Sequence, residues 1–354
     1  MSAADSTAHV GHPVRSVKPG MAVSAAQPCG DCSGADSERV SWQRTSPRWA
    51  LRAAAANNAN LATMPLTSGQ LDEIAPVVRR LVARNPSVMT GPGTNTYLVG
   101  AGPYLVIDPG PEDPVHVERI LAATGGRIDA VLATHTHPDH SPAAAAIADA
   151  TGAKILGKPA PEHGRQDAGF TPGKILQDRD KVALGALSLL AIHTPGHASN
   201  HLCYLLEGTG LLFTGDHLMQ GSTVVIGPPD GSMGDYLRSL ARLQHEPVTR
   251  IAPGHGLVIE DAQAEIVRII AHRLQREAKV VERLGRVGAA SVDTLVTSVY
   301  DDVDSRLHPV AKGSLLAHLL KLEEDGRVVR DSSEANALWS LQNNPPAPAV
   351  APLR

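Results

Sequence analysis

The sequence predicts a mixed α/β chain: a layered domain of short strands and interleaved helices, then a small winged-helix-like unit. Three observations predict it. Short apolar runs of strand length, bounded by glycine turns, recur between residues 96 and 214. Helix-start signals fall between them. From residue 292 the pattern reads helix, helix, turn and strand, as in a winged helix.

Residues 1–63 are rich in Ala, Ser, Gly and Asn, lack a sustained period and read as a disordered leader. The layered domain is expected over 64–262. Its strand candidates are Thr96–Val99, Tyr104–Ile107, Ala130–Ala133, Leu187–His193, Leu202–Leu206 and Leu211–Thr214. Ser141-Pro142 before an alanine run looks like an N-cap followed by proline at the first helical position. Ser232 with Asp235 opens a second helix, whose Leu237, Leu240 and Leu243 share a face. A helical linker and the winged-helix-like unit are expected over 263–335. Ile266, Ile269, Ile270, Leu274, Val281 and Leu284 trace one long amphipathic helix. Val292–Tyr300 and Ala311–Glu324 read as helices, and Asp325-Gly326 turns into a strand at Arg327–Arg330. Residues 336–354 form a Pro/Ala-rich tail.

Composition bounds the function. An apolar fraction of 42% builds a sizeable core, but aromatics at 3% leave it to Leu, Val, Ile and Ala. A net charge of −4 gives no global basic field to draw in nucleic acid. Three cysteines make no disulfide framework: Cys203 stands alone, and Cys29-Gly-Asp-Cys32 has no second pair to complete a zinc site. No apolar run is long enough to span a membrane. Met1-Ser-Ala-Ala-Asp lacks the apolar core of a secretory signal, so cytoplasm is the expected compartment. A mitochondrial presequence is conceivable from Arg15, Arg39, Arg44, Arg48 and Arg52, but Asp5, Asp31, Asp36 and Glu38 spoil its acid-poor pattern.

The informative segment is Thr134-His135-Thr136-His137-Pro138-Asp139-His140, between a strand candidate and a helix start. Three imidazoles and a carboxylate at a strand's end suit a borderline-soft divalent metal. Alternate residues His135 and His137 can face one metal; Asp139 and His140, where the chain turns, can face a second. His197 in Thr194-Pro195-Gly196-His197, Asp216 in Thr214-Gly215-Asp216 and His255 in Pro253-Gly254-His255-Gly256 each follow an apolar run beside glycine. Each is weak alone; together, in this order, they are strong. Asp108 is either a second partner for an imidazole N–H or simply the first residue of an Asp-Pro-Gly turn.

At these residues the sequence resembles the metallo-β-lactamase superfamily, with its H-x-H-x-D-H signature and later His, Asp and His ligands. The resemblance implies an αββα sandwich with the site at one edge. It assigns His135, His137 and His197 to a first metal, Asp139, His140 and His255 to a second, and Asp216 to both. It implies two Zn²⁺ sharing a hydroxide that attacks the substrate, with Asp139 and Asp216 as catalytic groups. His217, next to the bridging Asp216, is read from its position either as the acid that protonates a leaving group or as a residue behind the ligands or at the mouth of the site.

Flanking motifs narrow the branch. Asn85-Pro86-Ser87, Gly91–Gly100, Gly215-Asp216-His217 through Thr223, Asp235–Leu240 and His318–Gly326 resemble the lactamase-beta-like group of single-strand endoribonucleases and acyl-carrier-protein thioesterases. Antibiotic hydrolysis is disfavoured by Asp216 at the bridging position. The expectation is a dinuclear zinc-dependent hydrolase, with a single-stranded RNA endonuclease as the leading specific case and a thioesterase of glyoxalase-II or acyl-carrier type as the alternative. Arg273, Arg276, Lys279, Arg283, Arg286 and Lys321 are the candidate phosphate contacts, although a solvated face paired with Glu277 and Glu282 is the favoured reading of that helix. His318 either reaches substrate or is structural. The substrate class is thus an ester or thioester, or single-stranded RNA; no membrane partner is expected, and monomer and dimer stay open.

Overall fold

A computed structural model describes residues 66–343. The expected leader with its Cys29/Cys32 pair and most of the Pro/Ala-rich tail lie outside the described residues. The first sheet has seven strands in chain order: β1 (Leu71–Ala75), β2 (Val78–Val82), β3 (Asn95–Gly100), β4 (Tyr104–Ile107), β5 (Ile128–Leu132), β6 (Lys154–Gly157) and β7 (Lys174–Ile175). Pairing is antiparallel as far as β4 and parallel beyond it. Parallel neighbours need crossovers. Helix α1 (Pro114–Thr124) supplies the first and α2 (Ala143–Thr151) the second.

The second sheet has five strands: β8 (Lys181–Leu184), β9 (Leu187–His193), β10 (Leu202–Leu206), β11 (Leu211–Gly215) and β12 (Arg250–Pro253). Its one parallel step, β11 to β12, is bridged by α3 (Met233–Leu243).

Alternating side chains divide between two interfaces. Tyr97, Val99, Leu105 and Ile107 of the first sheet meet Leu189, Ala191, Tyr204 and Phe213 of the second in the central core. Leu98, Tyr104, Val106 and Val131 face the other way, onto Ile120 of α1 and Ile147 of α2. Leu190, Ile192, Cys203, Leu205 and Leu212 face α3 through Tyr236, Leu240 and Leu243. With both faces covered, alternate residues are all apolar, so these strands read in sequence as continuous runs.

α4 (Ala262–Val287) leaves this sandwich and enters the winged unit. That unit adds β13 (Ala289–Ala290), α5 (Val292–Val299), a 3₁₀ turn at Ser305–Leu307, α6 (His308–Glu324), β14 (Val328–Arg330) and β15 (Trp339–Leu341). Its strands pair in the order β13-β15-β14 around the buried indole of Trp339.

Three expectations shift. The helix expected at Ser141-Pro142 begins at Ala143, because the Ser141 hydroxyl donates to Asp167 at 2.7 Å instead of capping. α6 starts at His308 rather than Ala311, with Pro309 in its first turn, where a missing N–H costs nothing. On α4 the buried stripe runs through Ile266, Ile269, Arg273, Arg276, Glu277, Val280 and Leu284, while Leu274 is exposed. Among the described residues no helix is long and apolar enough to cross a membrane.

The loop after β9 is seated tightly. Gly196 has φ 146°, and a Cβ there would lie 2.4 Å from Tyr236 Cα on α3. Gly196→Ala should therefore force the His197 loop off α3 and cost about 1–3 kcal/mol. Urea denaturation measures this; a variant as stable as the parent would show that the loop has slack.

Candidate metal centre

All seven expected ligands converge at one end of the paired sheets. His135, His137, Asp139 and His140 lie on the β5–α2 loop, His197 between β9 and β10, Asp216 after β11 and His255 after β12. Strand ends fix these loops. Leu202 N donates to Thr134 O at 2.7 Å, linking the β10 edge to the residue before His135. Asn95 Nδ2 donates to Pro253 O and Gly256 O, both at 2.9 Å, and Tyr97 OH to Pro253 O at 2.7 Å, so β3 pins the His255 loop from both sides. Gly254 admits the carboxylate: a Cβ there would sit 2.8 Å from Asp216 Oδ1.

The ligand atoms form two groups. His135 Nε2 and His197 Nε2 approach His137 Nδ1 at 2.8 and 2.9 Å. Asp139 Oδ2 lies 3.5 Å from His140 Nε2 and 3.3 Å from His255 Nε2. Asp216 straddles them. Its Oδ1 is 3.4 Å from His140 Nε2 and 3.3 Å from His255 Nε2, and its Oδ2 is 3.6 Å from His197 Nε2. Within each cluster, including His135, His140 and Asp216, the ligand atoms lie within 4.8 Å of one another.

The outer ring nitrogens of four of the five imidazoles are occupied. His135 Nδ1 is 3.0 Å from Thr134 Oγ1, His140 Nδ1 3.0 Å from Asp108 Oδ2, His197 Nδ1 2.7 Å from Val225 O and His255 Nδ1 3.3 Å from Gly93 O. Such bonds orient ligating imidazoles and set their tautomers. Asp108 is thus the partner of an imidazole N–H and not merely a turn residue. Its carboxylate also accepts from Thr134 N at 2.7 Å and Thr134 Oγ1 at 2.8 Å.

The electrostatics fit cations. Burial drives His135 well below the ordinary histidine range and His137 down to about 3, so both present lone pairs. Burial opposes charge on His140 and His255 too, but the Asp139 and Asp216 carboxylates outweigh it, lifting His140 well above its ordinary range and His255 to about 9. Those imidazoles in turn hold Asp139 at about 2 and Asp216 well below the carboxylate range, against the upward push of burial. His140 Nε2 and Asp216 Oδ1 are buried without a hydrogen-bond partner. Unsatisfied buried groups of this kind, aimed at one point, are what a coordinated cation satisfies.

Two histidines lie away from the role open to them in sequence. His217 is fully buried, edge-on to Tyr236, with neither ring nitrogen bonded. Burial lowers it to about 3, so it is neutral near pH 7 and away from solvent. The structure thus places His217 in the interior and not at the mouth of the site. His318 on α6 is likewise buried, and burial with Arg273 and Arg276 nearby drives it well below the histidine range. His201 was not anticipated. Its ring stacks on His135 at 5.1 Å between centroids and its Nδ1 is 3.0 Å from Thr194 Oγ1. A lone His before an apolar run carries no signal of that contact.

Two ligand groups sharing one carboxylate at the edge of an αββα sandwich define a hydrolase with a site fit for two metal ions. The family comparisons agree. Residues 89–255 match the metallo-β-lactamase superfamily and residues 291–339 the β-lactamase-associated winged helix domain. A lactamase-like protein, adaB, of Aspergillus niger is 30% identical over 82% of this chain and 93% of its own length. An atrochrysone carboxyl ACP thioesterase of Aspergillus chevalieri is 31% identical over 77% of this chain and 90% of its own. A β-lactamase domain protein of Burkholderia ambifaria shares the fold, with a TM-score of 0.65 at 22% identity over 80% of this chain and 96% of that one. The chain belongs to the metallo-β-lactamase superfamily.

Metal uptake must displace the protons on His140 and His255, so saturation with two divalent cations near pH 7.5 should release two or more protons per chain. Apparent affinity should weaken as the pH falls. Calorimetry in two buffers of different ionisation enthalpy counts the protons; a release near zero would refute the charged pair. Asp108→Ala should weaken binding about 10–100-fold.

Proposed function

We propose that this chain is a zinc-dependent thioesterase that hydrolyses acyl thioesters, with a carrier-bound or pantetheine-like thiol as the leaving group. The observation that carries the choice over RNA cleavage is the state of the α4 cations. Arg276 is buried and bonded to Val299 O and Asp302, Lys279 pairs with Asp301, and Arg283 with Asp301 at 3.2 Å. Arg286 pairs with Glu282 at 2.5 Å, and Lys321 with Glu277 at 3.0 Å and Asp325 at 2.7 Å. All of these but the exposed Arg286 are largely enclosed by their partners, where a phosphate track needs free cations on one face.

Leaving-group chemistry supports the same reading. When bound, a pair of divalent cations polarises the carbonyl under attack and makes water acidic enough to act as nucleophile near neutral pH. The residues of the chain then have little acid catalysis to supply. A thiol with a pKa of about 8.5 departs as thiolate, whereas a ribose alkoxide needs a proton. Buried, neutral His217 has none to give. Asp139 is the more open of the two central carboxylates, at 27% exposure against 13% for Asp216. We assign it to hold the attacking water through a hydrogen bond to its carboxylate, with Thr94 Oγ1 3.5 Å from its Oδ2. Relatives named as acyl-carrier-protein thioesterases, matched over most of their length, support the substrate class.

The test is a parallel assay of zinc-loaded protein on acyl-pantetheine thioesters, S-lactoylglutathione and labelled single-stranded RNA. Thioester turnover is expected. RNA cleavage without thioester hydrolysis would overturn the proposal. Asp216→Ala should lower turnover by more than about 100-fold, beyond the usual range for outer-shell partners. Its urea midpoint, read without metal, should fall far less than the turnover does, reflecting only the lost pairing with His140 and His255.

A further inference from the structure

The loop that follows Asp216 passes beneath the metal centre as a strap, residues 224–232. Three consecutive residues in it face three different elements. The Val225 carbonyl accepts from His197 Nδ1 at 2.7 Å. The Val224 carbonyl accepts from Arg273 Nη2 of α4 at 2.5 Å. The Ile226 N–H donates to Ser314 Oγ of α6 at 3.2 Å. Gly313 of α6 faces the strap: a Cβ there would lie 3.7 Å from Gly227 Cα, at ordinary van der Waals contact. The far end is tied back as well, with Ser232 N donating to Gly196 O at 2.8 Å, next to His197.

Arg273 is 3% exposed and, among the described residues, pairs with no carboxylate. Its partners are Val224 O and the face of the Tyr236 ring, 5.3 Å from the guanidinium carbon. Burying a guanidinium without a carboxylate is costly, so Arg273 is not there for the stability of a simple ion pair. What it does, together with Ser314, is fix two successive peptide groups: Arg273 holds the one before the carbonyl that orients His197, and Ser314, through Ile226 N–H, holds that carbonyl's own.

We infer that the winged unit is part of the metal centre: Arg273 and Ser314 are positioning residues that clamp Val224–Ile226, so that Val225 O holds the His197 imidazole in its ligating tautomer. The inference rests on the two-metal reading above. Without the clamp the Val225 carbonyl is free to swing, His197 Nδ1 loses its fixed acceptor, and the His135–His137–His197 group loses one preset ligand. The Asp139–His140–His255 group is held by Asp108 and Gly93 instead and is untouched.

The full-length, metal-stripped chain is titrated with Co²⁺ and followed by its visible absorption, which reports coordination at each site. Ser314→Ala and Arg273→Met are compared with Lys312→Ala, whose side chain points to Asp293. In both strap variants one of the two ions should bind roughly tenfold more weakly, at the lower end of the range for outer-shell partners. Its absorption bands should shift while those of the other ion stay. Ser314→Thr, which keeps the hydroxyl, should restore both. If Arg273→Met fails to fold, Ser314→Ala alone carries the measurement. Parent-like affinity and spectra in the strap variants overturn the clamp and leave the metal site standing. Equal weakening of both ions, with a lower metal-free melting temperature than Lys312→Ala, also overturns it, as a general loss of structure. A parent that takes up no Co²⁺ overturns the two-metal reading and the clamp with it.

Discussion

The carboxylate of Asp108 is the tie on which the site depends. The residue sits in the left-handed region at φ 51°, a conformation that a side chain other than glycine adopts only when its surroundings hold it there. They do. Its N–H donates to Leu132 O, its carbonyl accepts from Thr96 Oγ1, and its carboxylate takes the Thr134 N–H, the Thr134 hydroxyl and His140 Nδ1. One residue thus joins β3, β4, β5 and a metal ligand. A buried carboxylate is tolerable only when satisfied in this way. The same bonds aim His140 Nε2 inward, towards Asp139 and Asp216, where no hydrogen bond satisfies it.

The ligand set was legible because of position as much as composition. His135 to His140 are crowded at the end of an apolar run, and His197, Asp216 and His255 each follow another, so strand ends and ligands confirm one another. Runs buried on both faces gave strand limits within a residue or two. The β1–β2 hairpin was not legible, because Asp72, Glu73, Arg79 and Arg80 break its apolar pattern. α1 had its signal in Asp113-Pro114, a capping Asp before a proline, but it carries few strongly apolar residues. Arg273, Arg276 and Glu277 were harder. Arg and Glu along a helix ordinarily mark a solvated face, and only the arrival of α6 and the strap turns that face inward. Neither His201 against His135 nor Val225 behind His197 is written in any local pattern, since each contact spans loops that only the fold brings together.

Charge at the centre is balanced at short range. Two carboxylates stand among five imidazoles: the carboxylates draw protons onto His140 and His255, the two imidazoles nearest them, while burial strips them from His135 and His137. The site is therefore divided before any cation arrives: one half is a cage of ring nitrogens, the other a set of ion pairs. The two halves differ in what they ask of an incoming metal, the first only a geometry and the second an exchange of cation for proton.

α4 has a consequence for how the molecule comes apart. It is one uninterrupted helix of 26 residues. Its first half packs Ile266 and Ile269 into the core that covers the second sheet, and its second half packs Val280 and Leu284 into the core around Trp339. Ala317 of α6 reaches back into the first of these. A flexible linker would let the two cores melt in turn, each with its own midpoint. A rigid helix common to both offers denaturant no seam, because unwinding either end strips apolar surface from the other core. The winged unit and the sandwich are in this sense one cooperative body.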